Sequence, residues 1–219
     1  NVSREILQKN QVITAIQKQL VKKLLDELKK VCAEKPEDFR AFFDEFGGAL
    51  KEGLFLDTNN REKIAELCLW QSLKTPSDKR LALPAYIAAM PEGQEEIFYI
   101  TGPSRTVVEA SPHMEGLRKR GLDVLLLVDP IDEWVAQSLT EFSGKKLRAI
   151  HKGDFSPPNV KTAEGESAKK DETPSSEGED KALGELLAHL RVRFQEQVKE
   201  VRLSHRLEES PSVLVSADG

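Results

Sequence analysis

A chain of 219 residues with 32 Lys+Arg against 37 Asp+Glu and 39% hydrophobic residues has the make-up of a soluble globular protein of one to three small domains. Its longest purely aliphatic run, 124–128, falls far short of the ~20 apolar residues of a membrane-spanning helix. A net charge of −5 without a long basic stretch gives no general footprint for nucleic acid or anionic membrane, so neither is expected as a partner. Cys32 and Cys68 form neither a CxxC pair nor an even set at scaffold spacing. A disulfide framework and a structural zinc site therefore lack support, and reduced core thiols in a cytoplasmic compartment are expected. The chain starts at Asn1 with no charged and apolar leader, and reads as a piece of a longer protein.

From Asn10, a plausible N-cap, Ile13, Ile16, Leu20, Leu24, Leu28 and Val31 recur at three- and four-residue steps and predict an amphipathic helix closing near Glu34. Pro36 opens a second helix with Phe39, Phe42, Phe43 and Phe46 on one side, read as helix core, and Gly47, Gly48 and Gly53 are expected to weaken and end it. Asp57 or Thr58 is placed to cap a third helix, with Ile64 and Leu67 inward and its end near Trp70. Residues 1–75 thus form a helical array.

After Pro76 the period changes. Residues 96–100, 124–128 and 146–150 are short β-rich runs separated by helical patterns, one of them with Ile131, Val135 and Leu139 on its inner face. Strands joined by helical crossovers predict a small parallel sheet covered on both faces, an αβα unit over 76–158 with the all-apolar run 124–128 at its centre. The fold class is α/β. Residues 161–180 hold seven acids and three lysines and no large aliphatic or aromatic side chain, so 159–180 is read as a disordered acidic linker. Beyond it, Leu183, Leu186, Leu187, Leu190, Phe194 and Val198 mark another helix, and 201–205 and 212–215 are strand candidates. A helix and a hairpin over 181–219 rarely close a core alone, so they are taken as the opening of an α+β domain that continues further.

A scan for self-sufficient chemistry is mostly negative. No phosphate-binding glycine loop, dinucleotide fingerprint, zinc-protease helix or nucleophile elbow occurs. His113, His151, His189 and His205 are scattered without ligand spacing, so no metal is expected and surface or capping roles are the better reading. Asp129, Asp132 and Glu133 gather after the central strand, where open α/β sheets hold ligands; an acid-rich first helical turn, favoured by the helix dipole, is the plainer alternative. An independent α/β enzyme built on these acids is the least favoured reading.

One stretch carries a resemblance that spreads along nearly the whole chain. Asn1-Val2-Ser3-Arg4-Glu5-Ile6-Leu7-Gln8 resembles a signature of the middle domain of the heat-shock-protein-90 chaperone family. In the same order, residues 54–61, 97–102, 111–113, 124–134, 141–145 and 201–215 are similar to further blocks of that family, the last to the C-terminal domain of its bacterial type. The resemblance implies that 1–158 is the later part of a middle domain and that 181–219 opens the C-terminal domain. It also implies that ATP with Mg is bound by an N-terminal domain outside this chain, so the fragment alone is expected to be inactive although its parent is expected to be an ATPase.

In the family, the arginine at the place of Arg4 reaches the nucleotide γ-phosphate when the domains close, so the resemblance implies a catalytic and nucleotide-contacting role for Arg4, with Gln8 holding the same loop. A guanidinium suits this because its fixed fork of donors pairs with phosphate oxygens. Trp134 lies beside, not within, the face formed by Ile131, Val135 and Leu139, and is a candidate for binding unfolded clients, against a partly buried packing role. The implied partners are non-native client proteins, the parent's own nucleotide-binding domain and, for the parent, a second copy, the fragment being expected as a monomer. The rival reading is a passive client or co-chaperone scaffold with no part in hydrolysis.

Overall fold

The computed structural model describes residues 11–153, 155–158, 177–204 and 207–215. These fall into two compact units, one from 11–90, 95–110 and 123–150, the other from 91–94, 111–122 and the described residues from 151 on.

The first unit begins with helices α1 (Gln11–Glu34), α2 (Pro36–Leu56) and α3 (Arg61–Leu67). Pro36 in the first turn, where no N–H partner is required, and Glu37 and Asp38 beside it suit the positive end of α2. The stripe that α1 turns inward shares Leu28 and Val31 with the one periodicity picks out but departs from it at Ile16, Leu20 and Leu24. Leu25 is buried, with Val21, Leu28, Val31 and Cys32 packed against the core, whereas Val12, Ile16, Leu20 and Leu24 are exposed. The helix carries two apolar stripes offset by about a quarter-turn, and α2 and α3 take up only one of them.

The glycines do not end α2, which runs through all three to Leu56. A Cβ on Gly47 would lie 2.7 Å from the Phe43 ring and one on Gly53 2.9 Å from Ile64 Cδ1, so both serve close packing. Phe39 and Phe43 are buried as expected of a core stripe, but Phe46 is exposed and stacks on Phe42 at 5.4 Å between centroids. Asp57 closes the turn after α2 by accepting from the backbone N–H and Nδ2 of Asn60; Asn60, not Asp57 or Thr58, precedes α3.

Helix α3 stops at Leu67, short of Trp70, and the chain becomes strand β1 (Leu69–Ser72), which sequence patterning missed together with β2 (Leu81–Ala82). After α4 (Leu83–Ala88) come β3 (Ile97–Thr101), α5 (Arg105–Glu109), β4 (Leu125–Leu127), α7 (Asp132–Ser138), β5 (Glu141–Phe142) and β6 (Lys145–Ala149), with α6 (Glu115–Lys119) in the second unit. The sheet order is β2-β1-β4-β3-β6-β5. Strand β3 pairs in parallel with β4 (Tyr99 opposite Leu125) and with β6 (Ile97 opposite Leu147), so a parallel centre forms as predicted, with β3 at its middle and β4, buried throughout, an interior strand of the sheet beside it. Both margins are antiparallel instead, β1 with β4 and with β2, and β5 with β6. The β5–β6 hairpin turns on Ser143 and Gly144, both at positive φ, as the twist of a two-residue hairpin requires.

Tyr86 ties α4 to this sheet, its hydroxyl donating to the Asp123 carbonyl at 2.7 Å and accepting from the Phe98 N–H at 3.2 Å. The core joins Leu25, Phe39, Phe43 and Leu54 of the helices to Trp70, Tyr99, Leu125 and Val135 of the α/β part. Each fully buried Leu or Phe there contributes about 1.5–3 kcal/mol.

The second unit contains a 3₁₀ turn (Pro112–Met114), α6 and α8 (Glu177–Phe194). Of the acidic stretch, 159–176 lies outside the described residues and α8 begins at Glu177. On α8, Leu187 and Leu190 are half-buried while Leu186 and Phe194 are exposed. Among the described residues, 201–204 and 212–215 form no strand. Their neighbourhood satisfies backbone groups with side chains: Arg191 Nε donates to the Val201 carbonyl at 3.0 Å, and Glu115 Oε2 accepts the N–H groups of Glu208, Glu209 and Ser210 at 3.0–3.2 Å. The Ser210 hydroxyl donates to the other Glu115 oxygen, and Lys119 Nζ pairs with Glu208 at 2.6 Å.

These donors hold the Glu115 carboxyl down at about 2, the Glu209 amide and Ser210 hydroxyl foremost. A carboxyl depressed in the folded state contributes its stabilisation above the ordinary carboxylate pKa and loses it as pH falls through the folded value. Acidification from about pH 4.5 toward pH 2, or Glu115→Gln at neutral pH, is therefore expected to lower the protection of the amides of 208–210, with hydrogen exchange read relative to the intrinsic rate at each pH. Unchanged protection in both conditions would mean that the segment is held by other contacts.

Candidate functional site

Helix α2 carries Phe39, Phe43, Gly47 and Lys51 at successive four-residue steps, and all four are buried. The fourth step puts an ammonium where an apolar side chain is expected. Lys51, 1% exposed, is neutralised by two carboxylates, at 2.6 Å from Asp129 Oδ2 and 2.7 Å from Asp132 Oδ1, and its Nζ lies 5.8 Å from the centroid of the Trp70 ring. Both acids come from the turn that follows β4. Asp132 opens α7, and its second oxygen accepts the Asp129 N–H at 3.1 Å, so the turn is closed on itself as well as on Lys51.

Asp132 is buried, while Asp129 keeps about half its side chain in solvent. Burial pushes the Asp132 carboxyl up, and the charge and hydrogen bond of Lys51 pull it back. Burial likewise pushes the Cys68 thiol up to about 12, which leaves it protonated and unreactive. Asp132 and Glu133 occupy the first turn of α7, as the plainer of the two sequence readings has it, and Asp129 and Asp132 are in addition partners of one lysine. Lys51 itself was missed; the signal was a lone charge in register with the buried phenylalanine stripe.

One helical turn beyond Lys51, α2 presents Phe55, and two residues beyond Asp132, α7 presents Trp134. Their ring centroids are 6.4 Å apart at 38°. Trp134 is 60% exposed, so it is not the partly buried packing residue of the alternative reading, and Leu56 next to Phe55 is 72% exposed. A large aromatic is thus held in water over a second ring, next to the buried Lys51–Asp132 pair.

Arg4 and Gln8 lie outside the described residues. Two of the histidines treated as scattered come together in the second unit: His113, buried, and His151 stand 6.5 Å apart edge to face, with His113 Nε2 3.1 Å from the Leu214 carbonyl. Burial, then the neighbouring His113 and Lys152, lower His151 to about 4. Among the described residues no group of three His, Cys, Asp or Glu side chains is placed to hold a metal, and no helix is long and apolar enough to cross a membrane.

The helical array thus leads into a mixed sheet with a parallel centre, and the exposed Trp134 lies against Phe55 where the two meet. The family model for Hsp90 protein matches residues 1–218, and the chain belongs to the Hsp90 family. It is similar to the chaperone protein HtpG of Geobacter metallireducens, 45% identical over 99% of this chain and 32% of that protein, and to that of Geobacter sulfurreducens, 44% identical over the same shares. The HtpG of Magnetococcus marinus is 45% identical over 98% of this chain and 33% of its own length. The chain therefore spans about a third of the length of these relatives. Among solved structures it is similar to the middle domain of a heat shock protein of Plasmodium falciparum, with a TM-score of 0.62 and 32% identity over 66% of this chain and 61% of that one.

Proposed function

We propose that this chain is the central segment of an ATP-dependent chaperone, presenting the Trp134–Phe55 pair to non-native client proteins and supplying Arg4 to a nucleotide held elsewhere in its parent. The observation that carries the client reading is the exposure of Trp134 over Phe55, beside the buried Lys51–Asp132 ion pair. Unfolded chains differ from folded ones chiefly in the apolar side chains they expose, and an aromatic pair in water gains most from covering them. The motif around Arg4 and Gln8, together with family membership, supports the rest of the reading, in which Arg4 would contact the γ-phosphate of ATP with Mg and Gln8 would steady the same loop.

On this reading residues 1–158 belong to the middle domain, 159–180 join it to the opening of the C-terminal domain at 181–219, and the parent works as a cytoplasmic homodimer. The client reading is tested with the 219-residue chain and a permanently unfolded protein as probe. Trp134→Ala is expected to weaken probe binding about tenfold, the scale of a central aromatic anchor. Unchanged binding by a folded Trp134→Ala variant would contradict it.

A further inference from the structure

The geometry points to the buried Lys51–Asp132 ion pair as the positioning element of the Trp134–Phe55 surface, a role that rests on the client reading for its purpose but not for its test. Helix α7 has seven residues, too few to hold its own shape in water, so its placement comes from its contacts. Val135 anchors it inward. The first turn, which carries Trp134, is held by Asp132, whose two oxygens take the Lys51 ammonium at 2.7 Å and the Asp129 N–H at 3.1 Å.

Lys51 is one turn from Phe55 on α2, and Asp132 two residues from Trp134 on α7, so a single polar contact fixes the spacing of the two rings. Two carboxylates on one ammonium also fix direction, which dispersion contacts alone do not. Ion pairs sealed from water are often no more stabilising than apolar side chains of the same size. Stability alone therefore does not account for a lysine in a phenylalanine stripe, whereas directional placement of α7 does.

The test is the double variant Lys51→Met/Asp132→Leu in the 219-residue chain, which exchanges the pair for apolar groups of similar volume. Its urea midpoint is expected to equal or exceed that of the unsubstituted chain. By NMR, the Trp134 indole Nε1–H resonance, identified through Trp134→Phe, should shift, and the nuclear Overhauser contact between the Phe55 and Trp134 rings should be lost. A purely structural pair predicts that restored stability restores the ring contact too, so an unchanged contact in the double variant would overturn the proposal. Should the double variant fail to fold, Asp132→Asn takes its place, since it leaves Lys51 paired with Asp129. Loss of the ring contact there supports the proposal and its retention overturns it. Probe binding by Trp134→Ala reads the client surface and the ring contact reads the positioning, so one can fail while the other stands.

Discussion

Lys51→Met alone is expected to lower the stability of the chain by about 3–5 kcal/mol at neutral pH, the cost of leaving one partner of a buried pair uncompensated. Methionine fills the space of the lysine stem, so the loss is electrostatic and not a cavity. The stranded group is Asp132, buried on every side but its own turn, while half-exposed Asp129 regains water. With the ammonium gone, only the hydrogen bond from the Asp129 N–H still opposes the burial that already pushes the Asp132 carboxyl up. A carboxyl raised in the folded state above its unfolded value favours folding once protonated. The deficit of the variant is therefore full above the raised folded value and shrinks as pH falls through it. Urea denaturation of both proteins at pH 7 and pH 5 reads this directly: the gap in stability should narrow at the lower pH. A gap of the same size at both would mean that Asp132 is not the stranded charge.

That prediction turns on a residue the sequence hides, and the reason is general to this fold. Periodicity identifies a helix by its apolar repeat but does not say which stripe the neighbours accept. In α1 the repeat is right at Leu28 and Val31, yet before them the core takes up Val21 and Leu25 and leaves Ile16, Leu20 and Leu24 in water. In α2 the buried row Phe39, Phe43, Gly47 and Lys51 mixes an aromatic, a glycine and a charge, and only the facing surfaces show why. Gly47 makes room for Phe43, and Lys51 meets acids 78 and 81 residues away. The parallel centre of the sheet was legible because β3 and β4 are short, β-rich and separated by helical crossovers. Strands β1 and β2 were not, since Leu69–Ser72 follows a helix without a turn signal and Leu81–Ala82 is two residues long. Trp134 was found by its place beside the inward face of α7; its companion Phe55 was not, because nothing local links residue 55 to residue 134.

Arg4→Ala is expected to have the largest effect on activity. An arginine that pairs with phosphate oxygens as charge develops on them lowers the barrier without being needed for ground-state binding, and fingers of this kind contribute about 10³–10⁵ in turnover where they complete the site. Where domain closure shares control of the rate, the full effect of such an arginine is not expressed in steady state, so a loss of about tenfold or more is expected. On the proposed function the nucleotide would be held by another part of the parent, so its affinity should change little. The distinction is between turnover and binding: a residue serving only the transition state lowers the first and spares the second.

The most direct test of the account is steady-state ATP hydrolysis by the full-length parent beside its Arg4→Ala variant, with nucleotide affinity measured separately on each. Lost turnover at intact affinity is the predicted result. Equal turnover in the two proteins would contradict the role given to Arg4 and leave the chain as a client or co-chaperone scaffold with no part in hydrolysis.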